Sequence, residues 1–219
     1  PKTNYRIMDL RGTYKGGGGP DKTILLTATK HDEKYFFVLV TYLRDPLDSE
    51  FQIAEKASRL NINYIDVPDR SLLDWKCIYL LNGLIRKHSL DLIHAHDDKS
   101  SLYSFLLKML NPRIKVIYTC HLYTRYVRSD FRSTQAYLSD RLRQFIRFFL
   151  ILCSGKPIIA VSDAVKKTLN IEGLPLKLIK TLHNGIDINT WQKKNGKAVL
   201  RGKFCKTKDT QIVGTVARI

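Results

Sequence analysis

Four consecutive glycines, Gly16 to Gly19, followed by Pro20, stand between an apolar strand pattern and a helical one. Tyr5 to Leu10 read as a buried first strand, and Ile24, Leu25 and Ala28 then recur at helix spacing. Pro20 therefore falls near the first helical position, where its missing N–H costs nothing. Glycine lets the backbone approach a ligand closely, and the unpaired amides of a helix start, together with the helix dipole, favour an anion. The loop Gly16, Gly17, Gly18 and Gly19 is thus a candidate phosphate-binding turn that a nucleotide diphosphate would fit. It matches neither the G-x-x-x-x-G-K-[ST] loop nor the G-x-G-x-x-G fingerprint, and a flexible turn is the competing reading.

The rest of the chain keeps the same rhythm. Phe36 to Tyr42 is a continuous apolar run, as expected of a strand buried on both faces. Asp48 or Ser49 is positioned to cap a helix through Leu60; a third strand, Asn63 to Val67, stops at Pro68; and a longer helix is expected from Ser71 to His88. Asp91 to Asp98 form the next strand and its exit, followed by a helix from Lys99 to Leu110, a strand from Lys115 to Thr119 and then Cys120 and His121. Gln135 to Ser154 are helical and basic. Pro157 to Val161 are a strand, Ser162 caps a helix through Asn170, and Leu178 to Leu182 lead into His183, Asn184 and Gly185. Such alternation implies an α/β, Rossmann-like, doubly wound parallel sheet, whose ligands bind beyond the carboxyl ends of the strands. Residues 1–188 are expected to form this domain. Residues 189–219 read as a lysine-rich linker followed by the first strand, Gln211 to Ile219, of a second Rossmann-like domain.

Composition narrows the class. With 44% hydrophobic residues among 219, the chain has enough apolar surface for a core. Cys77, Cys120, Cys153 and Cys205 stand too far apart for a zinc or disulfide framework, which fits a reducing compartment. No apolar run approaches the roughly 20 residues of a membrane-spanning helix. The 37 Lys and Arg against 20 Asp and Glu, a formal net charge of +17, call for an anionic partner.

The polar residues at the strand ends are the candidate site. His94 and His96 share a strand face and invite a metal reading, but the sequence names no third ligand, so no metal is assigned. His94 reads as a buried, hydrogen-bonded histidine, and His96, Asp97 and Asp98 as cleft residues. His121 is expected to face the cleft as a donor or proton carrier. Arg125, Arg128, Ser162 and Asp163 complete the candidate cleft. Beyond His121, Arg141, Arg143 and Arg147 lie over an apolar stripe of Leu138, Leu142, Phe145, Phe149 and Leu152. That pattern suits a basic amphipathic helix on an anionic membrane surface, although much of the stripe is expected to pack on the sheet.

Gly18-Gly19-Pro20, Asp91 to His96, Thr119-Cys120-His121, Ala160 to Asp163, His183 to Asp187 and Val213 to Arg218 together, in this order, resemble the landmarks of the family 4 (group 1) GT-B glycosyltransferases. The resemblance implies two Rossmann-like domains around a cleft, of which this chain carries the acceptor half. It also implies metal-independent transfer from a nucleotide-sugar donor with retention of configuration, and no cofactor. The Gly16 to Gly19 loop and Arg218 would face the donor phosphates, and Asn184-Gly185 would form the interdomain hinge. His121 would contact the donor sugar and support charge at the anomeric centre. The paired glutamates that hold the donor would lie beyond Ile219, so the chain alone is expected to be inactive. A hexosyl transfer to a glycan or lipid-linked acceptor follows by resemblance, in polysaccharide or lipopolysaccharide assembly, on the cytoplasmic side and peripheral to the membrane. The rivals are a non-enzymatic Rossmann-like nucleotide- or nucleic-acid-binding module, and an epimerase or phosphorylase of the same architecture. A nucleic-acid partner is not expected, because no recognition motif interleaves aromatics with arginines.

Overall fold

The computed structural model describes residues 4–121 and 128–188. Arg125, Arg218, Cys205, the Arg128 side chain and the strand expected at 211–219 lie outside the described residues. The chain divides into two compact units, Pro1–Gly185 and Ile186–Ile219.

The first unit is built on seven strands: β1 Tyr5–Gly12, β2 Phe36–Arg44, β3 Tyr64–Pro68, β4 Leu92–Ala95, β5 Lys115–Cys120, β6 Ile158–Ala160 and β7 Ile179–Thr181. All neighbours pair in parallel, in the order β3-β2-β1-β4-β5-β6-β7. The order reverses direction between β1 and β4, and that switch point opens the crevice in which doubly wound sheets bind ligands. Among the described residues six α-helices flank the sheet: α1 Gly19–Ala28, α2 Ile53–Arg59, α3 Trp75–Lys87, α4 Asp98–Leu110, α5 Thr134–Ser154 and α6 Asp163–Ile171.

Period-two alternation decides which residues reach which layer. Met8, Leu10, Leu39, Leu43 and Ile93 are buried with Cys77, Ile78, Leu81 and Ile85 of α3 and with Tyr103 and Leu107 of α4. The intervening Val38, Val40 and Tyr42 pack on the other face, against Ile24, Leu25 and Ala28 of α1 and Ile53 and Ala57 of α2. A third cluster joins Tyr118, Ile158, Ala160 and Ile179 to Phe148 and Ile151 of α5 and Leu169 of α6.

Two helix starts differ from the expectation. The Asp48 carboxylate accepts hydrogen bonds from the Lys15 and Glu50 N–H groups, so it closes a local turn, and α2 begins at Ile53. Ser71 does not open α3; the Asp74 carboxylate accepts from the Lys76 and Cys77 amides and caps it. Along α5 the residues that reach the core are Phe148 and Ile151, on a different face from the apolar stripe expected to pack there. Leu138, Leu142, Phe145 and Phe149 are instead 60%, 60%, 68% and 53% exposed, and Leu152 alone of that stripe packs against the core. No helix among the described residues is long and apolar enough to cross a membrane.

Two glycines should respond oppositely to the same change. A Cβ on Gly155 would lie 2.2 Å from the Val116 carbonyl oxygen, a backbone atom that cannot move aside. Gly83, within α3, would meet nothing inside 4 Å. In urea denaturation, Gly155→Ala is expected to cost about 1–3 kcal/mol or more, and Gly83→Ala to stabilise by about 1 kcal/mol.

Candidate functional site

Asp9 lies at the middle of β1 and pairs in register with His94 of β4, directly across the switch point. The alternation that sends Met8, Leu10 and Ile93 to the α3 and α4 layer sends Asp9 and His94 to the opposite face, under α1. Thr119 of β5 shares that face, and His96 and His121 follow one residue beyond the ends of β4 and β5. These side chains line a cavity of about 240 Å³, closed by Thr23, Ile24 and Thr27 of α1 and by His183, Asn184 and Gly185.

Hydrogen bonds join the polar residues into one network. Asp9 Oδ1 lies 2.9 Å from His94 Nδ1 and 3.1 Å from His96 Nε2. The other nitrogen of His96, Nδ1, is 2.9 Å from His121 Nε2, and His94 Nε2 is 2.7 Å from Thr119 Oγ1. The His94 and His96 rings lie 4.0 Å apart, and the His96 and His121 rings stack at 5.2 Å. Burial opposes the charge on Asp9, but the hydrogen bonds from His94 and His96 outweigh it and hold the carboxyl well below the usual carboxylate range. Burial, reinforced by His94, pushes His96 down to about 4. Burial and the neighbouring His96 push His121 down to about 3. Both imidazoles are therefore neutral at pH 7, next to an ionised carboxylate.

The donor atoms of Asp9, His94 and His96 lie within 4.8 Å of one another, so the third potential ligand that the sequence did not name is Asp9. Each nitrogen of the two rings lies within 3.1 Å of a polar partner.

Two amides of the glycine loop already have partners within the chain. The Gly18 amide donates to Asp21 Oδ2 at 2.6 Å, and the Gly17 amide to the Tyr14 carbonyl at 3.0 Å. The Asp21 carboxylate also accepts from Arg11 Nε at 2.8 Å and from the Tyr42 hydroxyl at 2.9 Å. A negative charge from the protein itself thus already sits at this helix start. Gly17 has φ of +69°, and a Cβ there would fall 2.8 Å from Asp21, so glycine is required at that point of the loop.

Other expected cleft residues are held in the framework. Asp97 caps α4, accepting from the Lys99 and Ser100 amides, and receives the Gly12 amide at 2.7 Å. It also lines a second cavity, of about 440 Å³, with Tyr14, Asp45, Asp69, Arg70 and Lys99. Asp98 pairs with Arg147 of α5. Ser162 caps α6 through the Val165 amide, and Asp163 accepts from the Thr181 hydroxyl. Among the expected residues the first cavity gathers His96, His121, Asn184 and Gly185, and it adds Asp9, His94 and Thr119.

The pH dependence of folding follows from the two depressed histidines. Their folded values lie below the unfolded value of about 6.5, so the unfolded chain binds protons first. Stability is full above that value and falls as pH drops from about 6.5 toward 4, by about 1.4 kcal/mol per pH unit for each proton taken up. Urea midpoints measured across that range are expected to fall in this way, and His96→Asn is expected to flatten the slope.

The solved structures most similar in shape include HepE of Anabaena in complex with UDP and glucose, at a TM-score of 0.67 and 17% identity over 88% of this chain and 47% of HepE. A glycosyltransferase from Rickettsia africae matches at 0.64 and 17% identity, over 93% of this chain and 49% of the other. The lipopolysaccharide outer core galactosyltransferase WaaB matches at 0.54 and 14% identity, over 84% and 46%. The chain spans about half the length of these structures, and at such identities the likeness establishes the fold, that of GT-B glycosyltransferases. Comparison with curated proteins gives no match. The sequence model of Glycosyltransferase Family 4, however, matches residues 17–190 of the 219, from the glycine loop past the Asn184-Gly185 turn. With most of its sequence covered, the chain belongs to glycosyltransferase family 4.

Proposed function

We propose that this chain forms the acceptor-side half of a glycosyltransferase that moves a hexosyl group from a nucleotide sugar, with retention of configuration and without a metal. The observation that carries the reading is His121: neutral, at the switch-point cavity, with a buried Nδ1 that has no hydrogen-bond partner among the described residues. Positive charge develops at the anomeric carbon as a glycosidic bond breaks. A neutral imidazole can turn its lone pair toward a sugar there, whereas an imidazolium would repel the developing charge. HepE, bound to UDP and glucose, is a structural precedent for such a donor. Asn184 and Gly185 border the same cavity, and the division of the chain after Gly185 supports their role as hinge. In this reading the glycine loop shapes the donor side by its backbone, with Asp21 setting its conformation, and Arg218 reaches the donor phosphates.

The acceptor is assigned to the second cavity, where Asp45, Asp69, Arg70 and Lys99 offer partners for sugar hydroxyls. A glycan or lipid-linked acceptor, in polysaccharide or lipopolysaccharide assembly, fits the exposed apolar face of α5. Leu138, Leu142, Phe145 and Phe149 with the exposed Arg143 form a surface suited to an anionic leaflet on the cytoplasmic side. Arg141 and Arg147 are already paired, with Glu172 and Asp98, so the apolar residues and Arg143 are the informative positions.

Full-length protein incubated with a panel of nucleotide sugars is expected to turn over one donor equally well with and without EDTA. His121→Ala should lower that rate by about 100-fold, the order of effect of one preorganised polar group. Turnover abolished by EDTA would instead assign a metal to Asp9, His94 and His96. Nucleotide-sugar binding without turnover would favour a non-enzymatic binding module. Co-sedimentation with vesicles containing anionic lipid is expected to weaken with salt and to be lost in Phe145→Ser/Phe149→Ser. Binding unaffected by either change would remove the membrane from the proposal.

A further inference from the structure

The hydrogen-bond network can be read as a chain of protons with a fixed direction. Asp9 Oδ1 is the common acceptor for His94 Nδ1 and His96 Nε2, and an ionised carboxylate can only accept. His94 Nε2 in turn lies 2.7 Å from the Thr119 hydroxyl. His96 carries its proton on Nε2, so its Nδ1 is bare. The group facing that Nδ1 at 2.9 Å is His121 Nε2, and of two neutral imidazoles one must donate. His121 is therefore the donor, its proton on Nε2, and its Nδ1 is the bare nitrogen that has no partner among the described residues.

We propose that Asp9 is a positioning residue that acts through His96 to fix the tautomer of His121, leaving His121 Nδ1 as a hydrogen-bond acceptor reserved for a hydroxyl of the bound substrate. The reverse tautomer would place an N–H at that position and would favour a carbonyl or phosphate oxygen instead. The direction of the chain thus selects the class of group that His121 recognises. It also explains why an acidic residue is buried in the middle of β1: the other ends of both its partners are engaged in turn, and one relay ends at His121, which lines the cavity. That the hydroxyl belongs to a donor sugar rests on the glycosyltransferase reading. The tautomers do not, because they are measured without substrate.

The test is nitrogen-15 NMR of the histidine side chains in the full chain at pH 7, with no ligand. His96 and His121 are expected as Nε2–H tautomers with unprotonated Nδ1. Asp9→Ala should shift His96 and His121 toward mixtures in which the Nδ1 signals move to the protonated position. Asp9→Asn, whose amide oxygen can accept the same two bonds, should restore the original pattern. A folded Asp9→Ala protein with His121 unchanged would overturn the role of Asp9. If Asp9→Ala does not fold, the unsubstituted protein decides: His121 protonated on Nδ1 overturns the inference, and protonated on Nε2 upholds it.

Discussion

A single carboxylate, that of Asp9, organises the ligand end of this sheet. Leaving a carboxylate buried and unpaired is costly enough that proteins pair it or neutralise it. Here it is 7% exposed, and it is accommodated because two histidines from the adjacent strand reach it. That requirement ties the β1 and β4 register, in which Asp9 faces His94, to the point where the strand order reverses. Fold and site are consequently one arrangement: a one-residue slip of β4 would carry His94 to the other face and leave the charge without a partner. The low basicity of His96 and His121 has a different origin: burial disfavours their charged forms, and for His96 it outweighs the pull of the Asp9 carboxylate toward imidazolium.

A second buried carboxylate, Asp21, does for the glycine loop what Asp9 does for the strands. It gathers the Gly18 amide, the Arg11 guanidinium and the Tyr42 hydroxyl, so that α1 starts at a defined place over the cavity. Arg11 also donates to the His96 carbonyl, which links the two clusters. The glycines serve compact backbone geometry, with the negative end of their interaction supplied from within.

The strand and helix alternation was legible because continuous apolar runs and helical spacing are local signals, as at Phe36 to Tyr42 and Ser162 to Asn170. Helix starts were less so: Asp48 and Ser71 have the right side chains, but turn bonds and the capping by Asp74 decide the outcome, and these depend on where neighbouring segments lie. His96 and His121 were visible from their position at strand ends, and Asn184 and Gly185 from the resemblance carried by the turn they form. Asp9 was not, because a lone acid among Met8, Leu10 and the flanking Arg6 and Arg11 carries no motif; its cost of burial was the available signal. The face that α5 presents to the core was also beyond the sequence, since two apolar stripes compete on one helix and only the sheet's position chooses Phe148 and Ile151.

Whether a neutral His121 receives a sugar hydroxyl on Nδ1 is decided most directly by a crystal structure of the full-length protein with an unreactive nucleotide-sugar analogue. A sugar hydroxyl is expected within hydrogen-bond distance of His121 Nδ1, with the His121 Nε2 to His96 Nδ1 contact retained. A sugar bound away from His121, or a phosphate or carbonyl oxygen taking the place of the hydroxyl at Nδ1, would contradict it.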